Sequence, residues 1–391
     1  MSIKLKVVIG VLASLALSAL ANARLAAWLR QEDVDAVAQQ ALRSAAETYF
    51  GLEQADVGEL SAALEVLAAD AALAEAFARR ARPGLLALAS PVFAALRDRH
   101  GVTHWYFHEP EPARTCFLRV HAPALHGDLI ERPTFVEAAT RGAPASGMEL
   151  GRTAFALRVV HPWTRGGKLL GYLELGEEID HFLRRMRRQT GDEYAMLILK
   201  RHLDQKAWAA TRGAVRDTWA DRPEVVLVDS TTDDQRLLGW EGRVEDLPES
   251  GRLLGLERRE DRAFVRGVLP LKDVGGTAVG ALLVLHDVTA LDRGLEDHYR
   301  GVFAVVLGIA LAASVLLVLL LERLVFRRLD HITARMEDLG ARVAGGDYDV
   351  ARDLPTPARD EIGRLEEFFA RFLRAVGGAL SELQRRLGRD G

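Results

Sequence analysis

The chain has 391 residues, with 51 lysines and arginines against 55 aspartates and glutamates, for a net charge of −4. That balance offers no basic field for nucleic acid, and a single cysteine, Cys116, excludes an intrachain disulfide framework. A mean hydropathy of +0.01 in a chain that is 27% charged means that apolar residues are gathered in blocks.

The first block is Val7 to Ala23, uncharged and preceded by Lys4 and Lys6. It reads as a membrane-spanning helix over 7–23 behind a short tail, 1–6. Ala21-Asn22-Ala23 has the small-x-small form of a cleavage site, so a removed signal remains the competing reading. Residues 24–99 are rich in Ala, Leu, Glu and Arg, with Leu60, Leu64, Leu67, Ala71 and Ala74 at helical spacing. A long helix followed by shorter ones is expected there, with breaks at Gly51, Gly58 and Pro83-Gly84.

From His100 the period changes to two. Val102 to His108 and Thr115 to His121 read as strands, Pro133 to Thr140 as a short helix. Ser146 to Leu150, Thr153 to Val160 and Lys168 to Leu175 are three more strands, with Arg165-Gly166-Gly167 as the last turn. Glu177 to Arg188 reads as an amphipathic helix. A looser repeat follows, with strands at Tyr194 to Leu199, Val225 to Asp229, Ala263 to Pro270 and Ala278 to His286, closed by Asp287-Val288-Thr289-Ala290.

The order strand-strand-helix-strand-strand-strand resembles a PAS-like sensor fold, and a long helix with two such lobes resembles a double-Cache sensor. The resemblance is best over residues 100–182. It rests on His104-Trp105-Tyr106-Phe107-His108, Phe117-Leu118-Arg119-Val120-His121, Glu149-Leu150-Gly151-Arg152, Leu157-Arg158-Val159-Val160 and Gly171-Tyr172-Leu173-Glu174-Leu175-Gly176-Glu177-Glu178-Ile179-Asp180. It implies a membrane-distal lobe at 100–190, a membrane-proximal lobe at 191–300, and a small ligand held between the distal sheet and the loops that cover it.

Alternation proposes the inward groups. Arg158 interrupts an apolar strand, Tyr172 and Glu174 share a face, and Arg119 and His121 share another. Asp128, Arg132 and Glu149 come from the covering segments. A guanidinium there suits a carboxylate or an amino-acid-like ligand, and a glutamate suits an amine. The competing reading is that these arginines and glutamates pair with each other. His104 and His108 share a strand face but stand about 13 Å apart, too far to chelate one ion, so no metal, cofactor or catalytic residue is expected.

A second uncharged run, Val302 to Leu321, ends at Glu322-Arg323 and Arg327-Arg328 and reads as the other span, 302–321. The flanking basic residues predict a two-pass protein of the bacterial inner membrane with both termini cytoplasmic. Beyond it, Leu329, Ile332, Met336, Leu339 and Val343, then Ile362, Leu365, Phe369, Phe372 and Val376, form two coiled-coil seams around Gly346-Asp347-Tyr348 and Leu354-Pro355.

With Asp360-Glu361-Ile362-Gly363 at the second helix, this resembles a HAMP relay over 323–378, carried by Gly346, Asp347, Asp360, Glu361 and Gly363. The proline usual at its start is replaced by Phe326-Arg327-Arg328-Leu329. A parallel homodimer would bury the seams as a four-helix bundle. The 379–391 tail shows neither a phosphoacceptor-histidine helix nor an ATP-binding region, and Gly345-Gly346-Asp347 lacks the Glu-Phe of a cyclic-dinucleotide synthase.

The expected class is thus α+β: two PAS-like antiparallel sheet lobes on a long helix, two transmembrane helices and a HAMP hairpin. The expected function is a non-enzymatic transducer whose partners are the lipid bilayer, a second copy, a small-molecule ligand and a separate cytoplasmic signalling protein. Two alternatives stand beside it. One is an accessory envelope subunit that binds a protein; the other is the sensory half of a kinase, cyclase or chemoreceptor.

Overall fold

The computed structural model describes residues 3–150, 155–212, 217–345 and 360–387. One compact unit comprises residues 31–294, the other 1–30 with 295–391.

In the larger unit the continuous helix α1, Ile3–Ala69, supplies the spine. It runs unbroken through Gly51 and Gly58, where breaks were expected. Each glycine lies in helical backbone with open space where a Cβ would be, so no turn demands it, and the surrounding Leu, Glu and Ala carry the helix. The chain turns instead at Asp70, whose carboxylate accepts from the Ala72 and Leu73 amides and starts α2, Ala71–Ala78. The next helix, α3, Arg82–His100, opens with Pro83 in its first turn and ends on Gly101 at φ 72°, a left-handed cap.

The first lobe is a five-stranded antiparallel sheet in the order β2-β1-β5-β4-β3. Its strands are β1 His104–His108, β2 Cys116–Arg119, β3 Ala145–Leu150, β4 Phe155–Arg165 and β5 Lys168–Glu178. Helix α4, Pro133–Arg141, lies between β2 and β3 in the chain. The β4–β5 turn uses Gly166 and Gly167 at φ 56° and 76°, the two positive values a tight hairpin needs. Strand β5 runs through Glu177 and Glu178, where a helix was expected; pairing of Leu157 with Glu177 and Ala156 with Glu178 holds them extended. A single tight turn at Ile179–His181 then leads into α5, Phe182–Thr190.

The second lobe repeats the sheet in the order β7-β6-β10-β9-β8. The strands are β6 Glu193–Leu199, β7 Val225–Ser230, β8 Arg252–Arg259, β9 Arg262–Lys272 and β10 Ala278–Asp287, with α6, Gln205–Arg212, between β6 and β7. Strand β8 was absent from the expected four; its residues are mostly half-exposed and read RLLGLERR, without clean alternation, because it is an edge strand.

One face of each sheet builds a shared core with α1. Leu60, Leu64, Leu67, Phe77, Leu85, Trp105, Phe107, Leu173 and Leu175 belong to it, and so do Met196, Val226 and Leu282 of the second lobe. Trp163 seals the end of α1 by donating from Nε1 to the Ala68 carbonyl at 2.9 Å. The lobes are tied directly where the Val274 amide donates to the Met148 carbonyl at 2.9 Å. Gly147 permits that approach, since a Cβ there would lie 2.6 Å from the Val274 side chain.

In the smaller unit, α1 and α7, Thr289–Leu321, are the two helices among the described residues that are long and apolar enough to cross a bilayer. A π-helical turn, Glu322–Phe326, stands where the relay proline was missed and feeds α8, Arg327–Ala344. Helix α9, Glu361–Leu387, is capped by Asp360, whose carboxylate accepts from the Gly363 amide at 2.7 Å and pairs with Arg328 at 2.5 Å. Gly346, Asp347 and Tyr348 lie outside the described residues.

Candidate functional site

The face of the first sheet that turns away from α1 sets charged groups among a small apolar cluster of Tyr106, Val160 and Tyr172 with Ile130 and, from α4, Phe135 and Ala138. Strand register fixes its membership. Tyr106 pairs with Arg119 on one side and with Glu174 on the other. Glu174 pairs with Val160, and Arg158 lies between Gly147 and Gly176. Gly176 leaves room beside the arginine; a Cβ there would meet the Arg158 side chain at 3.6 Å.

Glu174, fully buried, is the hub. It accepts from Arg158 Nη1 at 2.6 Å and Arg132 Nη1 at 2.8 Å through one oxygen, and contacts His108 Nε2 at 2.8 Å through the other. Burial pushes its carboxyl up, but Arg132, the His108 hydrogen bond and Arg158 outweigh that and hold it well below the usual carboxylate range. Arg158 is itself buried, and despite that burial Glu174 keeps it charged.

Glu149 serves a different master. One of its oxygens accepts from the Thr134 amide at 2.8 Å and hydroxyl at 2.7 Å, so it caps α4 from a neighbouring strand. Its other oxygen faces Arg158 Nε at 3.5 Å, an ion pair without a hydrogen bond. Burial raises the Glu149 carboxyl above its ordinary value.

Tyr106 lies at the centre of the arginines. Arg132, Arg119 and Arg158 place their guanidinium carbons 4.6, 5.5 and 5.6 Å from its ring centroid. Arg119 is held by a fork to both oxygens of Asp128, at 2.7 and 2.6 Å. His121 and His104 pack edge-on at 4.7 Å, and burial lowers His121 to about 4 and His104 to about 3, so both are neutral. Tyr172 packs on Phe135 at 4.9 Å, and Phe135 on His108 at 5.3 Å.

The eight residues expected to face a ligand thus gather on one face, with three arginines balanced by three carboxylates. Sequence reasoning missed Tyr106, His108 and Thr134. The first two were legible, since they share the alternation of His104, but His104 and His108 were weighed only as metal ligands. Beyond them, Gly151 and Arg152 lie outside the described residues. The second lobe has its own cavity of about 570 Å3, rimmed by Glu193, Asp234, Arg236, Arg259 and Arg262.

Two antiparallel sheet lobes on one long helix are what the sequence resemblance implied, and the match to known families decides the matter. Residues 36–291 match the dCache_3 model, the double sensory domain of two-component sensor kinases. The chain belongs to the dCache_3 family. Its larger unit is therefore the sensory module of a signal-transduction receptor.

Solved structures similar to this dCache_3 chain include the periplasmic domain of Vibrio cholerae LuxQ, with 12% identity, 63% of this chain and 98% of that one covered, and a TM-score of 0.36. The sensor domain of the V. cholerae histidine kinase DctB shares 13% identity over 61% of this chain and 98% of its own, with a TM-score of 0.34. The ligand-binding domain of the Campylobacter jejuni chemoreceptor Tlp3, solved with 4-methylisoleucine, shares 9% identity over 66% of this chain and 92% of its own, with a TM-score of 0.39. No curated protein matches the chain.

Proposed function

We propose that this dCache_3 protein is a two-pass inner-membrane transducer that binds a small carboxylate or amino-acid-like ligand in its first lobe. It passes the resulting change through a HAMP-like helical pair to a separate cytoplasmic protein. The observation that carries the ligand assignment is the buried hub of Arg158, Arg132 and Glu174 under Tyr106. A ligand carboxylate can take a guanidinium from Glu174, and Glu174 can in turn take an ammonium group, so charge stays balanced as pairs exchange. Such an exchange shifts α4 and the segment 120–132, because Arg132 stands at the start of that helix and Glu149 caps it. A few kcal/mol of differential binding between two arrangements suffices to move a population.

A thermal-shift screen of the full-length protein in nanodiscs against amino acids, dicarboxylates and amines tests this reading. A carboxylate-bearing ligand at a hundred times its Kd should stabilise by about 2.7 kcal/mol. Arg158→Lys keeps the charge but loses the fork, and should weaken that ligand about tenfold or more. Arg259→Lys, in the cavity of the second lobe, should leave affinity unchanged. The reverse pattern, binding lost through Arg259 and not through Arg158, would move the ligand to the second lobe and sink the assignment.

A further inference from the structure

On the opposite face of the first sheet, three groups from distant parts of the chain converge. Asp56 comes from the middle of α1, Glu177 from the end of β5, and His181 from the turn before α5. Their Oδ, Oε and Nε2 atoms all lie within 4.8 Å of one another. Asp56 and Glu177 are 4% and 5% exposed, and Oε1 of Glu177 is buried with no hydrogen-bond partner. Arg185 lies on the same cluster, with Nη1 at 2.7 and 2.9 Å from the two Asp56 oxygens.

His181 Nδ1 lies 3.1 Å from the Glu178 carbonyl, to which it can only donate. With Nδ1 so held, Nε2 is turned toward Asp56 Oδ2, 3.2 Å away. Two carboxylates and one imidazole thus share a single cluster with the Arg185 guanidinium, and Oε1 of Glu177 has no hydrogen-bond partner there. A backbone carbonyl holding the far nitrogen is also the outer-shell arrangement that orients a metal-ligating histidine.

We propose that Asp56, Glu177 and His181 form a binding site for a transition-type divalent cation such as Zn2+. One imidazole nitrogen and two carboxylate oxygens suit an ion of intermediate softness. Ligand atoms around a tetrahedral zinc at about 2.1 Å stand roughly 3.4 Å apart, close to the 3.2 Å between Asp56 and His181. Arg185, a third exposed, competes for Asp56 and can swing toward solvent to share it. The ion would clamp the long helix to the last strand of the first lobe and to the connector into the second. This site shares no residue with the ligand hub around Glu174, so the two assignments stand or fall separately.

The test uses full-length protein in nanodiscs, stripped with chelator and titrated with zinc buffered by a competing chelator. About one Zn2+ per chain is expected. His181→Ala keeps the Arg185–Asp56 pair and the fold, verified by an unchanged melting temperature without metal, and should bind at least tenfold more weakly. Arg185→Gln removes the competing charge and should bind as tightly as wild type or tighter. His100→Ala, which removes an exposed histidine paired with Glu59 at 2.5 Å, should leave binding unchanged. Failure to bind one equivalent, equal affinity in wild type and His181→Ala, or loss of binding in Arg185→Gln overturns the proposal.

Discussion

Glu174 shows how one buried charge organises one face of a sheet. Removing an ion from water costs several kcal/mol, so a fully buried carboxylate persists only with its partners in place, and Arg158, Arg132 and His108 are those partners. Burial first, and then the positive charge of Arg158 and Arg132, holds His104 neutral to about pH 3. The linkage has a definite sign. An unfolded histidine gains its proton near pH 6.5 and the folded His104 does not, so its contribution is complete above 6.5 and is lost as pH falls below that value. Glu177 runs the other way: burial and the nearby Asp56 push it up to about 8, so its contribution declines as pH rises from about 4.5. The difference between wild type and His104→Asn isolates the histidine. Melting curves at pH 7.5 and pH 5 should show the variant gaining on wild type by about 1.4 kcal/mol per pH unit below 6.5. A difference independent of pH would mean that His104 titrates normally in the folded protein.

At the scale of elements, α1 runs unbroken for 67 residues. Gly51 is exposed and has open space around a Cβ, so it contributes only backbone freedom to the unfolded chain. Gly51→Ala should therefore stabilise the protein by about 0.5 to 1 kcal/mol, read as a raised melting temperature in nanodiscs. A lowered value would mean that a neighbouring surface approaches this point of the helix. The glycines misled the sequence reading because their meaning depends on φ, which composition does not carry. Gly166 and Gly167, flanked by strand residues, were legible as a turn; Gly51 and Gly58, within strong helix formers, were helical. The strands of the first lobe were legible because one face is apolar and the other charged, giving Trp105 and Phe107 against His104, Tyr106 and His108. Strand β8 was not, since an edge strand half-exposed on both faces has no such contrast. Nor was the end of β5: Glu177 looks like the first turn of an amphipathic helix until its pairing with Leu157 is seen.

For the whole molecule, the sequence carried the repeat of two lobes and the apolar blocks, because both are written in local periodicity. The convergence of Asp56, Glu177 and His181 was not written there, since residues more than a hundred positions apart meet only through the packing of α1 on the sheet. The apolar seam beyond α7 lies between these cases. Its period was plain, and in the single chain Phe372, 53% exposed, and Leu365, 40% exposed, lie open to solvent on α9. A helix with a 3-4 apolar spacing and its seam uncovered is stabilised by a second such helix, and we infer a parallel dimer through this face. Cysteine at Leu365 or Phe372 should then crosslink between subunits in membranes, whereas cysteine at Arg371, whose side chain is 69% exposed beside Phe372, should not. The native Cys116 is buried, so it leaves the readout clean. Because the seam is the moving part of the proposed relay, a ligand that stabilises the first lobe should also change the ratio of crosslinking at Leu365 to that at Phe372. Equal crosslinking at Phe372 and Arg371 would argue against a packed bundle. A ratio indifferent to a ligand that binds would separate the sensor from the relay.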